Sequence, residues 1–130
     1  MAKLPARSQA SILSKVRKIC LALPETSERL SHGEPTFFFR EKKSFLNMDT
    51  YHHGSDHYSA WVAAPLGAQD VLVRSDPDRF FVPPYVGHRG WVGIVLDAPP
   101  DWDEIARIVA DAYEHVSGKR GKTTKTPRGR

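Results

Sequence analysis

Four stretches of this chain carry side chains able to do chemistry. In Ser31-His32-Gly33-Glu34-Pro35, His32 is a candidate general base, with Glu34 near enough in sequence to orient it. His52, His53, Asp56 and His57 form a metal-like cluster. Zinc accepts His and Asp in tetrahedral array, but Gly54-Ser55-Asp56 breaks the helix that would align His53 with His57. The cluster therefore reads as a polar hairpin tip, and no metal ligand is assigned. In Gly87-His88-Arg89-Gly90, a guanidinium between two glycines is suited to fork onto a phosphate or carboxylate. The alternative is a hairpin turn that happens to carry Arg. Trp61, Tyr85 and Trp91 supply rings that either stack a base or planar ligand or, for the two Trp residues, pack the core. The candidate binding set is Trp61, Tyr85, His88, Arg89 and Trp91.

The pattern reads as a recognition surface, or as the closing edge of a small domain's core, rather than as a reaction centre. No H-E-x-x-H, C-x-x-C, glycine-flanked nucleophile or phosphate-binding glycine loop occurs. No catalytic residue and no cofactor is assigned, and a non-enzymatic role is expected. The segment Phe80–Asp97 concentrates aromatics, Pro83-Pro84 and the Arg89 turn. The two prolines stiffen a wall leading to Tyr85. Gly87 and Gly90 are expected at positive φ, bringing Arg89 out of the sheet and leaving Trp91 as the first inward residue of a strand.

Charge is divided unevenly. Residues 1–18 carry five cations and no acid, and residues 118–130 carry six and no acid. Between them lie eight cations and fifteen acids. Nucleic-acid contact would thus use the ends, with Lys15, Lys18, Lys119, Arg120 and Lys122 as candidate phosphate contacts. One cysteine, Cys20, rules out an internal disulfide framework and fits a reducing compartment, with the thiol expected in the core. The opening MAKLPARSQA has no apolar signal region, and no run reaches the roughly 18 apolar residues of a membrane span. A cytoplasmic monomer is expected, without membrane contact.

The elements that must position these groups follow from periodicity. Residues 8–23 have helical spacing, with Ser8 or Ser11 as the cap and Pro24 as the stop, and PETSE follows as a turn. Residues 1–7 are expected to be loose. Strands are expected at 36–40, 44–50 and 58–64, a helix from Pro65 to about Arg74 with Ala68, Val71 and Leu72 inward, and strands at 80–82 and 91–96. Gly93 is a candidate bulge or close-approach point. A last helix begins near Asp101, whose pairing with Glu104 resembles a capping box, and Gly118 ends it. The expectation is one α+β domain over residues 1–117, two-layered, with a mainly antiparallel sheet of about five strands, N- and C-terminal helices and one short middle helix. Residues 118–130 are expected to be a basic disordered tail.

ALPETSE, SHGEPTFFFREKKSF, the long stretch from Ala63 to Asp97, and DWDEIARIVADAYEHV together resemble the MmcQ/YjbR-like family over about residues 10–117. The resemblance implies a small α+β domain with a CyaY-like layout, no cofactor, and a DNA-binding label. Lys43-Ser44-Phe45 matches the family's Lys-x-Phe hairpin, whereas Ala63 or Ala64 stands where members often have a Lys. The partners it leaves in view are weakly and nonspecifically bound DNA and, through the Arg89 turn, a small anionic ligand.

Overall fold

The first helix starts earlier than serine caps would place it. In a computed structural model describing residues 3–52 and 56–118, α1 spans Ala6–Leu21 with Pro5 at its N-cap and no side-chain cap. The Pro5 carbonyl takes the Gln9 N–H at 3.0 Å, so the helix forms without Ser8 or Ser11 as its cap. Residues 3–5 are not loose either. Leu4 N–H donates to the Tyr51 hydroxyl at 2.9 Å, and the Lys3 ammonium lies over the Tyr51 ring.

Residues expected as a turn after Pro24 form a strand. β1 (Thr26–Ser31) pairs antiparallel with β2 (Glu34–Phe39), in register from Thr26 with Phe39 to Ser31 with Glu34. The connecting pair, His32-Gly33, has φ of 54° and 81°. Two consecutive positive φ values suit the right-handed twist of a two-residue hairpin. The strand therefore arises from the turn, not from its own polar composition.

β3 (Lys43–Thr50), β4 (Tyr58–Val62), α2 (Ala68–Ser75), β5 (Phe80–Phe81), a 3-10 turn at Gly87–Arg89, β6 (Val92–Val95) and α3 (Trp102–Ser117) complete the order. The sheet has six antiparallel strands, not five, ordered β1-β2-β3-β4-β6-β5. The expected α+β class stands.

Alternation along the strands sends two sets of side chains to opposite faces. Phe37, Phe39, Leu46, Met48, Val62, Val92 and Ile94 join the core with Ile105, Val109 and Tyr113 of α3 and with Val16 and Cys20 of α1. The Tyr113 ring stands edge-on to Phe39 and Phe45, with centroids 5.7 and 5.9 Å away. The sheet's other face carries a row of directly opposed residues, Thr36, Asn47, Trp61, Gly93 and Phe81.

Gly93 is a close-approach point. A Cβ there would lie 2.4 Å from the Phe81 ring. Helix α3 is capped as the sequence predicts, the Asp101 carboxylate accepting Glu104 N–H at 3.1 Å. Gly118 closes it at φ 75°. Helix α2 differs from expectation. Val71 is 66% exposed, and only Ala68, Leu72 and Val73 lean on the core. No helix among the described residues is long and apolar enough to cross a membrane.

Candidate functional site

Residues 82–91 build one wall of a groove over the sheet face that carries Trp61. Val86 N–H donates to the Pro84 carbonyl at 2.7 Å, closing a three-residue turn around Tyr85 at φ 65°. That is the strained, positive-φ form of the γ-turn. The chain then winds through the 3-10 turn, with Arg89 N–H donating to Val86 O and Gly90 N–H to Gly87 O. Gly90 has φ 89°, as predicted, but Gly87 has no positive φ. Gly87 is needed for room, since a Cβ there would meet Val82 Cγ1 at 2.5 Å. Helix α2 holds the segment from behind. Gln69 Nε2 donates to Gly87 O at 2.8 Å and to Trp91 O at 2.7 Å.

The groove encloses about 490 Å³, within the range of small-molecule sites. Trp61 of β4 lines it together with Tyr85, Arg89 and Trp91 of the 82–91 segment. His88 is exposed and is not among the lining residues. The structure adds residues that the sequence reading did not select. Phe38 adds a fourth ring, and Thr36, Ser44 and Asn47 provide polar groups from β2 and β3. Thr36 and Asn47 occupy the same cross-sheet row as Trp61, so a correct strand register would have found them.

Arg89 is exposed, with its guanidinium 5.5 Å from the Trp91 ring centroid. Arg29 extends over the Phe38 ring at 3.7 Å and donates to Glu41 O. Neither has a carboxylate partner among the described residues, whereas Arg17, Arg40, Arg74 and Arg79 each do. Hydrogen bonds to those carboxylates hold all four paired guanidiniums above their ordinary pKa. The arginines of the groove's edge are thus left with unspent charge.

At the other end lie His32 and Glu34. Glu34 does not orient His32. Its buried carboxylate accepts Thr50 N–H and Thr50 Oγ1–H, both at 2.9 Å, and His52 Nδ1–H at 2.6 Å. His32 Nδ1 instead meets the Ser31 hydroxyl at 3.2 Å. Donor atoms of Glu34, Asp49 and His52 lie within 4.8 Å of one another. Sequence reading missed this trio, because Glu34 sits on another strand from the histidine cluster. His57 goes elsewhere, donating to Asp97 at 3.2 Å. The described histidines of the cluster thus serve two different carboxylates. His53 lies outside the described residues.

Lys15 and Lys18 belong to α1, in the helical layer, and the Lys15 ammonium lies over the Trp102 ring of α3. They are across the sheet from the groove. Lys119, Arg120 and Lys122 lie outside the described residues. Cys20 is fully buried, and burial pushes its thiol far above the ordinary range.

A protein-family model, YjbR, matches residues 21–115. The chain belongs to the YjbR family. A solved relative in fold is Deinococcus radiodurans protein DR2400, with a DUF419 domain. The similarity covers 82% of this chain and 79% of that one, at TM-score 0.69 and 16% identity, and it supports the shared fold. No curated protein matches the chain. The YjbR region runs from the last residue of α1 to His115 in α3, so it contains all six strands and every residue lining the groove. The Ala63 and Ala64 side chains are buried.

Proposed function

We propose that this YjbR domain is a non-enzymatic binding module whose open-face groove takes a small anionic molecule, with Arg89 as the principal contact. The observation that carries this reading is Arg89 itself. It is exposed at the wall of a preformed groove, lies over Trp91, and has no acidic partner among the described residues. Arg29 on Phe38 adds a second cation at the edge. A guanidinium held over a ring has less freedom to lose when it binds an anion. The test is calorimetric titration with small carboxylates and inorganic phosphate. Binding that falls roughly tenfold in Arg89→Ala supports the reading. Binding that ignores Arg89, or none in wild type, refutes it.

A second reading concerns the ends of the chain. Eleven cations and no acid lie in residues 1–18 and 118–130, beside an acidic body. This favours weak, nonspecific DNA contact through Lys15, Lys18, Lys119, Arg120 and Lys122. Competition separates the two readings, since a groove ligand leaves DNA binding unchanged if the ends carry it. The proposed setting is cytoplasmic and the proposed state monomeric.

A further inference from the structure

We infer that the groove selects a flat ring carrying the anion, namely a small aromatic carboxylate or phosphate. This deepens the reading of the groove as an anion site and rests on it. Three observations point to a ring. First, Phe38, Trp61, Tyr85 and Trp91 line the groove from β2, β4 and the 82–91 segment. Side chains that distant in sequence are brought to one concavity by strand register and by the Gln69 contacts, not by local sequence. Second, two guanidiniums without a carboxylate partner lie over lining rings, Arg29 over Phe38 and Arg89 over Trp91. Phe38, Trp61 and Trp91 are themselves buried, so Tyr85 supplies the exposed ring beside these cations, which matches a ligand that joins an anion to a ring.

Third, Tyr85 occupies its position against the backbone's preference. At φ 65° a Gly or Asn fits with less strain. Yet the residue is a Tyr, 71% exposed, so core burial does not account for it. Strain of this kind persists where surroundings fix it, and it clusters at ligand-binding positions. Its place at the groove gives that strain a use as a ring wall. The Ser44 hydroxyl has no protein hydrogen bond among the described residues and is available to a polar substituent.

Calorimetry with defined probes tests this. The ring-bearing anions are 2-naphthoate and 1-naphthyl phosphate. Their ring-free counterparts are cyclohexanecarboxylate and inorganic phosphate, and 2-naphthamide keeps the ring without the charge. At least one naphthyl anion should bind roughly tenfold tighter than both its ring-free counterpart and the amide. The acid group that binds tighter separates carboxylate from phosphate as the natural arm. Tyr85→Gly should lower that ratio roughly tenfold, and Tyr85→Phe should restore it. Ring-free anions binding as tightly as naphthyl ones, or a ratio unmoved by Tyr85→Gly, would overturn the ring inference and leave the anion site standing. Failure of every anion to bind would overturn both.

Discussion

Replacing Trp91 and Arg89 in turn separates what holds this site together from what it offers. Trp91 is 4% exposed, so truncation to Ala removes nearly all of a buried indole. An indole buries on the order of 200 Å². At about 25 cal/mol per Å² that is about 5 kcal/mol, and core Trp truncations cost about 3–5 kcal/mol. Arg89 is exposed, has no carboxylate among the described residues, and touches the core through its place over Trp91. An exposed cation–π contact contributes about 0.5 kcal/mol. Arg89→Ala should therefore shift the urea midpoint only slightly, with m unchanged. Far-ultraviolet circular dichroism is the suitable probe, because it does not depend on the indole being replaced. In a Trp91→Ala background the Arg89 substitution should cost nothing, since its ring is gone. If Trp91→Ala fails to fold, Trp91→Phe, which keeps a ring, serves with a smaller loss. The reverse ranking, with Arg89→Ala costing more than Trp91→Ala, would refute the reasoning and make Arg89 a structural residue.

Gly93→Ala should destabilise by about 1–3 kcal/mol through its clash with the Phe81 ring. In Phe81→Ala protein the same change should cost far less, and equal costs in denaturant melts would count against the close approach. Burial, with Glu34 nearby, pushes the Tyr58 hydroxyl up to about 12 from an ordinary 10. The neutral form is favoured in the fold, so that stability is complete below pH 10 and is lost as pH rises through about 12. Melts across this range should show the loss, and Tyr58→Phe should flatten it. Deleting residues 118–130 should remove most of the salt dependence of any DNA affinity, and a truncated domain binding duplex as tightly at about 0.15 M salt would exclude the tail as the source. Untagged protein should carry well under one equivalent of zinc by elemental analysis, because Glu34 already accepts from Thr50 and His52. A stoichiometric metal lost on His52→Ala would reverse that expectation.

Much of the fold was legible because periodicity and burial agree. Val16 and Cys20 mark α1; Ile105, Val109, Ala112 and Tyr113 mark α3. Phe37 and Phe39, or Leu46 and Met48, join the helix-side core at alternate positions of their strands. β1 was not legible. Thr-Ser-Glu-Arg-Leu-Ser has little β character, and Leu30 is 70% exposed on an edge. Its pairing depends on two positive-φ residues after it, and His-Gly is a weaker signal for that than Asn-Gly. Within the site, the aromatic and Arg residues stood out by type. Phe38 sits inside the run Phe37-Phe38-Phe39, and only alternation assigns it to the groove side. Glu34 looked like a partner for His32, two residues away. Its real partners are sixteen and eighteen residues on, a pairing fixed by how β2 and β3 align.

The two faces of the sheet do different work. The helical layer supplies the buried contacts that stabilise the sheet, leaving the other face to be covered by strand connections alone. A third layer of helix would have filled the space above Trp61. Instead the 82–91 segment covers only part of it, and two hydrogen bonds from Gln69 fix how far that segment stands from the strands. The groove's width is thus set by α2, a helix with no buried residue of its own. Such a helix adds little core, so its attachment through Gln69 connects its placement to the site more than to the stability of the fold. Gln69→Ala should therefore narrow or widen the groove before it unfolds the domain. The groove also lies wholly inside the YjbR region, while the lysine- and arginine-rich ends lie outside it. The groove therefore belongs to the shared domain, and the basic ends do not.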